Sequence, residues 1–181
     1  MARVSYVGAD ELESEYEDLV VSSLQPGKAV NVYSAVATNP PVLKGLRQFL
    51  GSLWSHSGLS DRQRELVILT AAQEIGVGYE WHQHVNIARD AGITDAEIAA
   101  LARDDREPFA EDEKAIIAYA RAVVRGRVTD SLHDAVVEYV GEEATVGAAT
   151  VAAGYLGLGR VIDALDVDLE SDDDFVGWDP R

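Results

Sequence analysis

Apolar residues recur at three- and four-residue steps along nearly the whole chain, and this periodicity constrains the fold more than any other feature. The segment FAEDEKAIIAYARAVVRG, residues 109–126, shows it clearly, and no stretch alternates between apolar and polar residues as a half-exposed strand would. The sequence therefore predicts one all-α domain spanning residues 1–181. About eight helices are expected, over residues 10–24, 42–55, 60–75, 79–90, 94–103, 109–126, 129–141 and 142–167.

Capping signals support several of these boundaries. Ser60 and Gln63 have the spacing of a capping box, in which each side chain satisfies a backbone N–H group at a helix start, and Thr94 and Glu97 repeat that spacing. Gly76 follows the third periodic segment and is expected to end it.

The eighth predicted helix is rich in alanine and glycine. Small residues let helices approach closely, so this helix is expected either at the centre of the domain or at a subunit interface. A homo-oligomer is the expected state. Arg160 lies within this apolar helix, where a buried guanidinium would need a carboxylate partner such as Asp163 or one from another subunit.

The charge balance narrows the classes of partner. Acidic residues outnumber basic ones 32 to 15, which gives a net charge of -17, and only three residues are lysine. Such a charge repels nucleic acid and anionic membranes, so neither is an expected partner. The acid-rich, lysine-poor composition resembles that of proteins from salt-loving organisms. Residues 170–181 are predicted to form an acidic, mobile tail.

The chain contains no cysteine, which excludes disulfides, thiolate metal sites and thiol peroxidase chemistry. The N-terminus lacks the basic and then apolar pattern of a signal peptide. The longest apolar run, residues 144–159, is shorter than the roughly 20 residues that span a membrane. A cytoplasmic location is therefore predicted.

The stretch YEWHQH, residues 79–84, concentrates groups that can move a proton. Glu80 and His84 are four residues apart and share one face of a helix. His82 lies roughly 200° from both, because each residue turns a helix by about 100°, so this pair of histidines is a poor metal clip. Glu80 and His84 can be read as a surface ion pair or as a proton-handling pair.

Glu65 precedes a strongly apolar helix face in ELVILTAAQEI. A half-buried carboxylate there would suit proton transfer, whereas a solvated glutamate in the first turn would serve only the helix dipole. His56 and His133 are predicted to be solvated. Trp54 and Trp81 are predicted to be core or interface aromatics, although either could wall a pocket.

Three segments together resemble the carboxymuconolactone decarboxylase family, which includes the AhpD-like alkyl hydroperoxidases. They are AVATNPPVLKGLRQFLGSL, residues 59–101 and GYLGLGRVIDALDVDL. The resemblance covers roughly residues 10–169 and implies an AhpD-like helical fold. Members of this family that resemble the chain form trimers, hexamers and related rings, so a closed homo-oligomer is implied.

The family's thiol-using members carry Cys-x-x-Cys-x-x-x-His at the start of a central helix and a glutamate one helix upstream. The histidine of that motif matches His84, the second cysteine Glu80, the first cysteine Val77 and the upstream glutamate Glu65. With both redox cysteines absent, the peroxidase activity of the family is disfavoured. Glu80 and His84 instead match the glutamate and histidine of the cysteine-free decarboxylase branch.

The resemblance implies a cofactor-free lyase that transfers a proton on a small carboxylate or lactone. His84 would shuttle the proton, and Glu80 or Glu65 would orient the imidazole. The resemblance requires no metal or organic cofactor. Substrate-binding roles fall to four further residues: Arg64 or Arg62 for a substrate carboxylate, and Tyr79 and Trp81 for the pocket walls.

Two alternatives remain open. One is a non-catalytic binding or assembly protein with Glu80 and His84 as a structural pair, and the other is a metal site of Glu65, Glu80 and His84.

Overall fold

The computed structural model describes residues 2–21 and 29–170, and these residues are almost entirely helical. No β-strand occurs within those ranges, where one isolated bridge joins Val21 to Ala29. The predicted all-α class is confirmed. The α-helices of the described ranges are α1 Asn31–Val36, α2 Pro40–His56, α3 Asp61–Ile75, α4 Gly78–Asp90, α5 Asp95–Ala102, α6 Glu111–Val124 and α7 Asp130–Leu165.

The first predicted helix, residues 10–24, is wrong where it can be compared. Two short 3₁₀ turns, Ala9–Glu11 and Glu17–Val20, occupy this region, and residues 22–24 lie outside the described residues. The segment places glutamates four apart, at 11 and 15 and again at 13 and 17, and like charges at that spacing destabilise a helix. The prediction also missed α1.

The two predicted capping boxes are confirmed. Ser60 Oγ accepts a hydrogen bond from the Gln63 backbone N–H at 3.2 Å, while Gln63 Oε1 accepts one from the Ser60 backbone at 3.1 Å. Thr94 and Glu97 make the same reciprocal pair at the start of α5. Gly76 ends α3 in the left-handed conformation with φ 76°, which glycine adopts without strain.

Helix α7 covers the two predicted helices 129–141 and 142–167. Its backbone departs from helical geometry at Gly141, with φ 81° and ψ 168°, so the predicted boundary is correct. By length and composition α7 could cross a membrane, but half of its most apolar stretch is buried inside the protein, as in a core helix. The mobile tail predicted for residues 170–181 is wrong at Glu170, which is buried and accepts a hydrogen bond from the Asn31 backbone N–H, and residues 171–181 lie outside the described residues.

Arg160 is exposed on α7 within this chain, and its expected partner, Asp163 or a carboxylate of another subunit, stays a prediction. Gly157, three residues earlier on the same helical face, is also exposed. The apolar composition of this helix concealed an outward-facing side, because small residues are compatible with both burial and exposure.

The described residues fall into two compact units. One comprises residues 2–52, without the undescribed segment, and residues 161–170. Its core contains Val20, Val36, Ala37 and Leu43. The other comprises Leu53–Arg160 and holds the helices that carry the predicted site. The expectation of a single domain over residues 1–181 stays a prediction.

Helix α3 is the central element of the second unit. Its residues from Arg64 to Ala72 are all buried, and α4, α5 and α6 contribute to the same core. A helix that is buried on every side places even its polar residues away from water. The burial of Glu65 follows from this position.

Arg62 joins α3 to the first turns of two other helices. Its Nη2 donates to Glu97 Oε1 at 2.5 Å, its Nε to Glu113 Oε1 at 2.6 Å and its Nη1 to the Gly92 carbonyl at 2.7 Å. The hydrogen bond from Arg62 is the main cause that lowers the pKa of Glu97 to about 2. This pair therefore adds stability above the ordinary glutamate pKa of 4.5, and loses it as the pH falls towards 2.

Candidate functional site

Helices α3 and α4 bring Glu65 and His84 into direct contact. His84 Nδ1 lies 2.8 Å from Glu65 Oε2, and the two residues are 19 positions apart in the sequence. The Glu65 side chain is 0% exposed and that of His84 is 9% exposed. A carboxylate removed from water needs hydrogen bonds or a counter-charge, and the imidazole supplies one of these contacts.

Arg64 supplies the nearby positive charge. Its Nε lies 3.5 Å from Glu65 Oε1, and its side chain is buried. Its Nη1 donates to the Trp54 carbonyl at 3.2 Å and to Asp61 Oδ1 at 2.9 Å. The guanidinium carbon stands 4.0 Å from the centre of the Trp54 ring, a cation–π contact that holds it in place. The Arg64 guanidinium is therefore held by Trp54 and Asp61.

Two aromatic residues from distant parts of the chain flank the imidazole. The Tyr155 ring meets the His84 ring edge to face, with centroids 5.0 Å apart and an interplanar angle of 84°. The Trp54 ring centroid is 6.2 Å from that of His84. Trp54 Nε1 donates a hydrogen bond to Tyr155 Oη at 3.0 Å, which links the two walls. We call Trp54, Glu65, His84 and Tyr155, together with Arg64, the His84 cluster.

Glu80 is buried and lies against α7. A Cβ atom added to Gly159 would stand 3.1 Å from Glu80 Oε2, so the absence of a side chain at residue 159 makes room for this carboxylate. Tyr155 and Gly159 are four residues apart on α7 and face His84 and Glu80, which are four apart on α4. The two helices thus pack in opposite chain directions along this face.

The structure pairs two of the three acid–base residues that the sequence predicted together. The partner of the imidazole is Glu65. No group of three histidine or acidic residues among the described residues is arranged to hold a metal ion, and Glu80 therefore does not complete such a group with Glu65 and His84.

The predicted substrate-binding residues are distributed differently from the expectation. Arg64 belongs to the His84 cluster, whereas Arg62 directs its guanidinium to α5 and α6. Trp81 is fully buried in the apolar core formed with α3, α5 and α6. The prediction that it is a core aromatic is therefore confirmed. Tyr79 is buried in the first turn of α4.

Tyr155 is the residue that sequence reasoning missed. Tyr155 lies within GYLGLG, residues 154–159. Its position as an aromatic residue in a helix of small residues was the one sequence feature that could have marked it as a site residue. The sequence predicts Trp54 to be a core or interface aromatic or a pocket wall, and the structure places its ring beside His84 and Tyr155. The solvated positions predicted for His56 and His133 are confirmed, since both are exposed.

Solved structures of other proteins share this fold. The debrominase Bmp8, in a cysteine-to-alanine variant bound to 2,3,4-tribromopyrrole, superposes with a TM-score of 0.76 at 18% identity, over 93% of this chain and 92% of that chain. ATU0492 from Agrobacterium tumefaciens, a protein of unknown function provisionally assigned to the antioxidant defence protein AhpD, gives a TM-score of 0.70 at 18% identity, over 76% and 96%. The predicted AhpD-like fold is confirmed.

The sequence comparison matches part of the chain to a known family. Residues 40–125 match the profile of the carboxymuconolactone decarboxylase family. The matched segment contains Trp54, Arg64, Glu65, Glu80 and His84. Tyr155 lies outside it. A comparison with curated proteins finds no match.

Proposed function

We propose that this protein is a cofactor-free proton-transfer enzyme of the lyase type, acting on a small planar carboxylate or lactone with His84 as its acid–base group. The observation that carries the proposal is the buried contact of 2.8 Å between His84 Nδ1 and Glu65 Oε2. A histidine oriented by a buried carboxylate is a recurrent arrangement in general acid–base catalysis.

Glu65 determines which nitrogen of His84 can act on a substrate. An ionised carboxylate only accepts hydrogen bonds, so Nδ1 carries the proton in this contact and Nε2 holds the lone pair. Nε2 is then the base, and Glu65 stabilises the imidazolium that forms when it takes up a proton. Arg64, 3.5 Å from the other carboxylate oxygen, offsets the buried charge of Glu65.

The walls of the cluster favour a flat ligand. The rings of Trp54 and Tyr155 flank the imidazole and offer aromatic surface for stacking. The structurally similar Bmp8 binds 2,3,4-tribromopyrrole, a planar five-membered ring. The family's name refers to a lactone carrying carboxylates. Arg64 is the cation of the cluster that could pair with such a carboxylate.

The proposed reaction needs proton transfer at carbon and no oxidation or reduction. In decarboxylation, the bond from the ring carbon to the carboxylate carbon breaks, carbon dioxide leaves, and the electron pair moves into the conjugated carbonyl oxygen. For this step His84 must enter as the imidazolium, with a proton taken up from water on Nε2; it delivers that proton to a ring carbon and is left neutral, with Glu65 still bound to the Nδ1 proton. We do not propose debromination or peroxide reduction by thiols, because Glu80 and Val77 occupy the family's cysteine positions and the chain has no cysteine.

The test measures proton transfer on carbon directly. The substrate probe is α-angelica lactone, an unsaturated five-membered lactone with an acidic C–H next to its carbonyl, and NMR follows deuterium uptake from heavy water at that carbon. His84→Gln is expected to lower the enzymatic exchange rate by about 10²- to 10⁴-fold while the fold is retained. His56→Gln, which changes an exposed imidazole, is the matched control and should leave exchange unchanged.

Equal exchange by the wild type and His84→Gln would overturn the acid–base role. A wild type that catalyses no exchange on this probe or on carboxylate-bearing unsaturated lactones, yet binds them, would favour a non-catalytic binding or assembly protein, with Glu65 instead of the expected Glu80 as the structural partner of His84.

A further inference from the structure

We infer that Tyr155 is a catalytic residue that donates a hydrogen bond from its hydroxyl to the substrate oxygen on which negative charge develops. The inference rests on the proposed function, because it assigns the group that complements His84 in the same reaction. It concerns a residue outside the segment that defines the family, residues 40–125.

The position of Tyr155 is fixed by contacts on two sides. The residue is buried on α7, and its ring stands at 84° to the imidazole of His84 with 5.0 Å between the centroids. Its Oη accepts the hydrogen bond from Trp54 Nε1 at 3.0 Å. The phenol is therefore held beside the imidazole, with little freedom to rotate away from it.

The bond from Trp54 also constrains where the hydroxyl proton can point. A phenol oxygen has one proton and two lone pairs, and an indole N–H can only donate. Trp54 therefore occupies a lone pair of Tyr155, and the hydroxyl proton is directed away from the indole. By accepting this bond, the oxygen also becomes a better donor, since hydrogen bonds in a chain polarise one another.

The chemistry needs such a donor. When the C–H bond breaks, the proton goes to His84 Nε2 and the electron pair moves into the carbonyl oxygen, which becomes an oxyanion. Preorganised donors aimed at this oxygen are usually the largest contribution to catalysis of this type. The imidazole is engaged with the carbon-bound proton, and Nη1 of Arg64 is bound to Trp54 and Asp61. Tyr155 is the neutral donor of the cluster that touches the imidazole.

Two ligands with the same five-membered lactone ring distinguish this role of Tyr155 from simple packing. Tetronate is a five-membered lactone that carries a full negative charge on its conjugated oxygens at neutral pH, and it mimics the oxyanion. Furan-2(5H)-one is the neutral ring without that charge. Tyr155→Phe removes the hydroxyl and keeps the ring, and calorimetry compares the two affinities with those of the wild type.

We expect Tyr155→Phe to weaken tetronate binding by about 10- to 100-fold, the loss of one hydrogen bond to a charged oxygen, and furan-2(5H)-one binding by less than about threefold. Exchange of α-angelica lactone should lose about 10²-fold in kcat with little change in KM. Trp54→Phe, which removes the orienting N–H and leaves the hydroxyl, should show a smaller loss on tetronate. Tyr139→Phe, at an exposed tyrosine on the same helix, is the control.

The experiment distinguishes a failure of the role of Tyr155 from a failure of the proposed function. Equal losses for both ligands, no loss for either, or a wild type that does not bind tetronate would each overturn the role of Tyr155. If His84→Gln abolishes exchange while Tyr155→Phe and Trp54→Phe keep it, the proposed function stands without this donor. Should Tyr155→Phe fail to fold, the response of Trp54→Phe to the two ligands decides the question.

Discussion

Glu65 shows how strongly one side chain depends on its surroundings. Its carboxylate is fully buried between the imidazole of His84 at 2.8 Å and the Nε of Arg64 at 3.5 Å. Arg64 is the adjacent residue on α3, whereas His84 comes from α4, and all residues of α3 from Arg64 to Ala72 are buried. The residue therefore links the stability of the core to the protonation pattern of the proposed catalytic imidazole.

Replacement of Glu65 by glutamine should affect both properties. The side-chain amide can donate to Nδ1 and favour the tautomer with the proton on Nε2, which removes the base, so the exchange rate should fall by about 10²- to 10⁴-fold. The free energy of unfolding should fall by about 3 kcal/mol, because Arg64 loses a buried counter-charge. NMR exchange and urea unfolding measure the two effects.

The control for this prediction is Glu138→Gln, which neutralises an exposed glutamate on α7. It should change neither quantity. A Glu65→Gln protein with the wild-type exchange rate would show that the carboxylate does not orient a catalytic imidazole.

At the scale of the element, the glycines of α7 differ in how closely other atoms approach them. A Cβ at Gly147 would lie 1.8 Å from the Ser57 carbonyl oxygen, so at this point the helix rests directly on the backbone of another segment. A Cβ at Gly159 would lie 2.4 Å from Ile75 Cδ1, the end of a side chain that can move. A Cβ at Gly157 would meet no atom of the described residues within 4 Å beyond the adjoining backbone of its own helix.

Alanine substitutions along α7 should therefore have graded effects on the free energy of unfolding. We expect Gly147→Ala to cost more than about 3 kcal/mol, because backbone atoms must separate, and Gly159→Ala to cost about 1–3 kcal/mol. Gly157→Ala is the internal control and should stabilise the protein by up to about 1 kcal/mol through helix propensity alone. Urea unfolding with a constant m value measures the series, and equal effects at all three positions would contradict this packing.

For the whole molecule, charge is the dominant property. A net charge of -17 on 181 residues implies mutual repulsion among carboxylates, although individual acidic groups such as Glu97 and Glu113 are paired with Arg62. Unpaired surplus charge favours expansion of the chain, and dissolved salt screens it over distances of about 10 Å at 0.1 M and about 3 Å at 1 M.

The melting temperature should consequently rise as potassium chloride increases from about 0.1 M to about 1 M at neutral pH. Calorimetry at both salt concentrations measures the shift. Near pH 4.4, the isoelectric point of the sequence, the same addition should have a much smaller effect, because the net charge is close to zero. A flat or falling melting temperature at neutral pH would argue against adaptation to high salt. The expected homo-oligomer and cytoplasmic location stay predictions.

Several features of the molecule followed from the amino-acid sequence alone. These features are the helices after residue 40, the capping boxes and the interruption at Gly141. They depend on contacts between residues within about four positions of each other, so the local sequence predicts them. The acidic segment near the N-terminus misled the prediction, because helical periodicity there outweighed the repulsion between glutamates four residues apart.

The residues of the candidate site were likewise predicted in part from the sequence, while their contacts were not. The sequence pointed to Glu65, Glu80 and His84, since their residue types and the family resemblance are local properties. Only the tertiary structure decided that Glu65 is the partner of the imidazole and that Tyr155 stands beside it. These contacts join residues 19 and more positions apart, and they depend on how α3, α4 and α7 pack, which no short-range pattern in the chain encodes.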